Sequence, residues 1–280
     1  MAAGIIAIIP AAAQAITIPV ACSENALVAA VNLANSTSAA DTLVLAGGCT
    51  YSLTSAHGGA GNGLPVITTP IEMIGPATIT RSGNGNFRIA QVSATGSLTL
   101  TTSVAITNGN APGDGGGILN RGAVTLTVSS LSGNRASGNG GGLANADTPS
   151  GTAPAATFTR SPVTNNSAAL RGGGIYNGRR GTLTTTGVSG SPLSITGNTA
   201  RGGGLLGLVP GRGGGIAAVN STATTLTQTA VTTNRALGLL GTAGGVYREG
   251  GTMTTTNSPI TANTPNNCVG STPAVPNCTG

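Results

Sequence analysis

Apolar and polar positions in this chain follow a three-part order that recurs roughly every 30 residues, the span of a solenoid repeat. A glycine run first leads into an apolar residue: Gly115-Gly116-Gly117-Ile118, Gly140-Gly141-Gly142-Leu143, Gly172-Gly173-Gly174-Ile175, Gly213-Gly214-Gly215-Ile216 and, weakened, Gly244-Gly245-Val246. Next comes an apolar residue between two threonines: Thr99/Thr101, Thr125/Thr127, Thr157/Thr159, Thr182/Thr184, Thr225/Thr227 and Thr252/Thr254. That period of two predicts a strand whose middle residue points inward and whose threonines point outward. Third, an apolar residue precedes Asn by three positions: Leu131 to Asn134, Val163 to Asn166, Ile195 to Asn198, Val231 to Asn234 and Ile260 to Asn263.

Three short strands and three turns per unit describe one coil of a winding chain. The expected fold class is all-β, a right-handed parallel β-helix of about eight coils over residues 42–265, a rod on the order of 40 Å long. Its inward columns are expected to be Ile118/Leu143/Ile175/Ile216/Val246, Leu126/Phe158/Leu183/Leu226/Met253 and Leu131/Val163/Ile195/Val231/Ile260. Extra length falls at corners, at Ala146–Ala155 and Leu205–Arg212. Asn suits turns because it tolerates the left-handed backbone region, and stacked amides can bond along the axis. An antiparallel sandwich would instead show hairpin dipeptides between strands paired in sequence.

Both ends of such a rod leave unpaired strand edges that need covers. Ser23 is placed to N-cap a helix running to Asn35, with Leu27, Ala30, Val31 and Ala34 on one face. Four cysteines sit in two terminal pairs, which predicts disulfides Cys22–Cys49 and Cys268–Cys278 rather than four buried thiols, and hence an oxidising compartment. Prolines 265, 273 and 276 accompany the second pair. The segments read as a signal-peptide-like stretch at 1–15 ending in Ala13-Gln14-Ala15, an N-terminal cap at 16–41, the β-helix, and a C-terminal cap at 266–280. No stretch is long and apolar enough to span a bilayer, and the leader-like start with the two disulfides leads to the expectation of a secreted or extracellular, cell-surface chain.

Composition narrows the chemistry. Only 2% of residues are aromatic and 6% charged, while Gly numbers 47 of 280, so the core must be thin layers of Val, Ile, Leu and Ala. All basic residues are Arg, and the net charge is +6. They are scattered without a basic stripe or stacking aromatics, which argues against nucleic acid as a partner.

The Gly-Gly-Gly-Ile and apolar-x-x-Asn units resemble the GGAI-type and FxxN-type motifs of polymorphic outer membrane protein repeats and, more widely, the pectin-lyase-like β-helix superfamily. The stretch from Ala21-Cys22-Ser23 to Asn35 is similar to the start of many secreted bacterial β-helix proteins. The resemblance covers Cys22 to Cys278. It implies the fold and export, and it raises polysaccharide lyase or hydrolase activity as one possible function.

That activity needs clustered carboxylates, for acid and base work or for holding Ca²⁺. The chain has six: Glu24, Asp41, Glu72, Asp114, Asp147 and Glu249. None are adjacent. Asp147 is expected to meet Arg121 and Arg179 as a surface charge pair, and His57 to sit in a solvated glycine-rich loop. No catalytic residues, metal site or cofactor are expected. The leading expectation is a non-catalytic structural or adhesive protein that binds a polysaccharide, cell-surface glycan or partner along its faces, with Arg171, Arg179, Arg180, Arg201 and Arg212 as contacts. The alternative is ice binding by the two outward columns of threonine.

Overall fold

The computed structural model describes residues 14–59, 61–146, 153–203 and 208–280. Every strand ladder is parallel, and the chain winds as a solenoid of about eight turns. Three faces and one narrow ladder run down it. The threonine face has nine strands: Thr17–Val20, Asp41–Leu45, Pro70–Ile74, Ser97–Thr101, Ala123–Thr127, Ala155–Thr159, Thr182–Thr186, Ala223–Thr227 and Thr252–Thr256. The asparagine face has eight and the glycine face six; a five-stranded ladder of two-residue strands closes the perimeter. One coil shows the path: Ile118–Asn120 on the glycine face, Ala123–Thr127, Ser130–Ser132 on the asparagine face, then Arg135–Ala136.

Two of the three expected inward columns stand as drawn, from Ile118 to Val246 and from Leu131 to Ile260. The third does not. Leu126 faces Phe158, but Phe158 faces Thr185, and Leu183 lies opposite Ala156. Leu226 then faces Thr185 and Thr255, while Met253 faces Thr224. The threonine face therefore carries two inward columns, and from Ala156 onward each coil places one large and one small side chain in them. Ala156 and Phe158 are followed by Leu183 and Thr185, Thr224 and Leu226, then Met253 and Thr255. Large against small fills each layer at near-constant volume, as close packing requires. The buried hydroxyls are satisfied: Thr185 Oγ1 meets Thr229 Oγ1 at 2.9 Å, and Thr224 Oγ1 accepts from Asn177 Nδ2 at 2.9 Å.

The asparagines form a continuous buried ladder. Asn134, Asn166, Asn198, Asn234 and Asn263 each send their backbone N–H and Nδ2 to the Oδ1 of the next ladder residue, ending on Asn267, at 2.9–3.1 Å. None of the five has a positive φ. The residue before each one has: Gly133, Asn165, Gly197, Thr233 and Ala262, at +54° to +68°. The left-handed turn is thus made one position earlier than the sequence suggests, and the ladder Asn is there for its amide. A second, shorter ladder links Asn120, Asn145 and Asn177 at 2.7 and 2.8 Å.

The caps match expectation. The helix spans Glu24–Ala34, Ser23 Oγ accepts from Ala26 N at 3.2 Å, and Leu27, Ala30, Val31 and Ala34 are buried. Cys22 is bonded to Cys49 and Cys268 to Cys278. Thr17–Val20, within the segment assigned to the cap, is itself a strand paired with Asp41–Leu45. At the far end Thr255 Oγ1 donates to the Pro276 carbonyl at 2.8 Å, and Asn277 Nδ2 donates to that of Thr255 at 2.9 Å, so the tail covers the last coil. Among the described residues, no helix is long and apolar enough to cross a membrane. Most of the predicted leader at 1–15 and part of each predicted corner insertion lie outside the described residues, as does Asp147 with its expected pairing to Arg121 and Arg179.

Candidate functional site

Alternation on the glycine face sends Ile175, Ile216 and Val246 to the core and the next residue outward. The outward column reads Leu119, Ala144, Tyr176, Ala217, Tyr247. Tyr176 and Tyr247 are two coils apart, about 10 Å, with only the Ala217 methyl between them. At the corner just before the glycine run, Arg171, Arg212 and Thr242 stack in parallel register. This brings two guanidinium groups to one ring: Arg212 lies 5.1 Å and Arg171 5.9 Å from the Tyr247 centroid, within cation–π range.

The polar groups are chained. Arg212 Nη1 donates to Tyr247 Oη at 2.9 Å, and that hydroxyl donates to Glu249 Oε2 at 2.9 Å. Glu249 Oε2 is also 3.3 Å from Arg171 Nη1 and 3.8 Å from Arg212 Nη1. Burial, reinforced by the bond to Glu249, pushes the Tyr247 phenol up, so it stays a neutral donor. Beside this cluster opens a crevice of about 340 Å³, bordered by Asn139, Leu170, Arg171, Tyr176, Val209, Pro210 and Arg212. Two of its buried polar atoms, Asn139 Oδ1 and Arg212 Nε, have no hydrogen-bond partner. One is an acceptor and the other a donor, which leaves the crevice with two unmet polar demands.

No protein family matches the chain, and no curated protein matches it. The site is therefore read on its own geometry.

Of the five arginines expected to bind, the structure unites Arg171 and Arg212. Arg179 is exposed in the turn after Asn177, and Arg180 takes φ +60° in the same turn. Arg201 follows the two-residue strand Thr199–Ala200; burial, then the charge of Arg135, lowers its pKa. None of these three borders the crevice. Sequence reasoning missed Tyr176, Tyr247, Glu249 and Asn139. A signal was available: the chain has three tyrosines, and two occupy the same outward slot after the glycine run.

The threonine face is more regular than its motifs suggested. Register places Thr99, Thr125, Thr157, Thr184, Thr225 and Thr254 in one column. Thr127, Thr159, Thr186, Thr227 and Thr256 continue the column that begins with Thr101. Thr182 and Thr252, expected in the paired columns, stand instead in a flanking row with Ser97, Ala123, Ala155 and Ala223; Thr186 and Thr256 take their places. On these six strands the three rows hold no charged or bulky side chain; on the strand before them they continue into Pro70, Glu72 and Ile74.

The other described carboxylates are held locally. Asp41 is buried and accepts from Ile16 N at 2.9 Å and Thr37 Oγ1 at 3.2 Å. Asp114 accepts from Asn139 N at 2.7 Å, and Glu72 from Thr101 Oγ1 at 3.3 Å. Glu24 accepts from Thr54 N at 2.9 Å and Thr54 Oγ1 at 2.7 Å, with His57 Nε2 at 2.7 Å. Burial raises the Glu24 pKa, but these bonds outweigh it and the net shift is downward. His57 is an exposed loop residue, as the sequence suggested, and it also ties the loop after Cys49–Leu53 to the cap helix through Glu24. Ser55 Oγ, 3.3 Å away, meets the same Nε2 as Glu24, so the three do not form a proton relay through two ring nitrogens.

Proposed function

We propose that this protein is a non-catalytic, extracellular β-solenoid that holds a glycan in the crevice beside Tyr176. The observation that carries the reading is the half-buried Tyr176 on a crevice bordered by Arg171 and Arg212, whose guanidinium groups lie over the buried Tyr247 ring. A tyrosine offers an apolar ring face with a polar tip, and sugars present the matching mixture of C–H faces and hydroxyls. Clefts of a few hundred Å³ with a few convergent polar groups are the usual form of a ligand site. The two disulfides support an oxidising, extracellular setting.

Tyr176→Ala is expected to weaken binding to the best ligand from a glycan panel by about 10–30-fold, the loss typical of a central aromatic anchor. Tyr176 is only half-buried, so the melting temperature should hold. Calorimetry of the wild type and the variant, with melting curves alongside, checks this. Equal affinity in the two, or no glycan retained by the wild type, overturns the reading.

A second reading rests on the threonine face. Fourteen of its eighteen outward positions on the last six strands are Thr, and the rest are Ser or Ala. Strand propensity alone would also admit Val, Ile or Tyr there. A flat, uncharged lattice of hydroxyl and methyl groups is suited to holding water in ice-like order, and ice-crystal shaping is its readout.

A further inference from the structure

Arg171 and Arg212 converge on a carboxylate that belongs to the chain itself. Glu249 closes the strand Val246–Glu249, and its backbone is anchored independently of its side chain: the carbonyl accepts from Asn220 N at 2.6 Å, and the residue pairs with Val219 and Thr272. The side chain is 40% exposed and meets Arg171 at 3.3 Å through Oε2. A half-exposed ion pair of this kind contributes little to stability. Its separation costs correspondingly little.

We propose that Glu249 is the internal occupant of a carboxylate site, and that a sugar bearing a carboxylate displaces it. This rests on the glycan reading above and names the ligand's chemical class. Three observations support it. First, a guanidinium fork favours a carboxylate bound through two N–H groups, yet Arg212 donates to Tyr247 through Nη1 while its buried Nε has no partner. Second, Asn139 Oδ1 is an acceptor without a donor on the same crevice, a demand that a ring hydroxyl meets. Third, two arginines, Arg171 and Arg212, face the single carboxylate of Glu249. An acidic sugar therefore answers the unmet donor, the unmet acceptor and the second arginine together. A neutral sugar answers only the acceptor.

Glu249→Gln keeps an oxygen for the Tyr247 hydroxyl and removes the competing charge. The test is calorimetry at low ionic strength with an oligosaccharide carrying carboxylates and the same oligosaccharide as its neutral methyl ester. Wild type should prefer the acid form, Glu249→Gln should bind that form about tenfold more tightly, and Arg212→Gln should lose the preference. Added salt should weaken only the acid form. If Glu249→Gln binds the acid form no better than wild type, Glu249 is not an internal competitor and the inference falls. If wild type binds the ester as well as the acid, the carboxylate assignment fails while the glycan reading stands. If neither form binds, both fail.

Discussion

Asn198→Ala is expected to lower the unfolding free energy by about 4 kcal/mol, far more than the loss of one exposed polar side chain. Asn198 is fully buried. Its Oδ1 accepts from Asn166 N and Nδ2, and its own Nδ2 donates to the carbonyls of Val163 and Thr196 and to Asn234 Oδ1. Truncation strands the Asn166 N–H and the Val163 carbonyl, both of the preceding coil, in a buried turn. Each stranded group costs on the order of 1–3 kcal/mol. Asn198→Asp separates geometry from chemistry: it keeps the acceptor, loses the donor and puts a charge in the ladder, so it should be at least as damaging. Urea unfolding of the three proteins checks this. A loss below about 1 kcal/mol for Asn198→Ala would mean that water replaces the amide and that the ladder is incidental.

Gly173→Ala should be worse and is expected to leave no folded protein at ordinary temperature. A Cβ there would sit 2.4 Å from the Gly214 carbonyl oxygen and 2.4–2.5 Å from the backbone of Thr199. Both neighbours are main chain in adjacent segments, so no rotamer change relieves the overlap, and overpacking of backbone exceeds the few kcal/mol by which domains are stable. The demand is for space and not for a special φ: Gly173 lacks a positive φ, whereas Gly172 beside it has +64°. Gly113→Ala is the control, since nothing lies within 4 Å of its Cβ. Expression followed by circular dichroism should show Gly113→Ala folded and Gly173→Ala absent or unfolded.

These two positions show why so much of the fold is visible in the sequence. Close approach admits only glycine at Gly116, Gly141, Gly173, Gly214 and Gly244, and an amide ladder admits only a residue like Asn at its rungs, so the same letters recur wherever the chain passes the same corner. The caps were legible for equally local reasons: a Ser at the helix start and cysteines close in sequence. Register was less legible. A strand displaced by two residues keeps the same faces inward and outward, so the pattern Thr-Leu-Thr cannot distinguish Leu183 opposite Phe158 from Leu183 opposite Ala156. The structure sets Leu183 against Ala156 and Thr185 against Phe158, a large side chain beside a small one in each case. The crevice was half legible. Arg171 and Arg212 could be placed at corners, but their meeting with Tyr247 and Glu249 depends on how far each corner loop reaches, which no period in the sequence encodes.

The winding and its register are tested most directly by oxidative cross-linking of two cysteine pairs on the threonine face. Thr157 and Thr184 lie opposite each other on neighbouring strands, about 4.8 Å apart, within disulfide range. Thr157 and Thr182 are two residues out of step, which adds about 6.6 Å along the strand and puts them beyond it. Thr157→Cys with Thr184→Cys should form the bridge under mild oxidation, read by peptide mass mapping, and Thr157→Cys with Thr182→Cys should not. A bridge in the second pair and none in the first would show that the coils stack two residues away from the register described. No bridge in either would show that these strands are not neighbours.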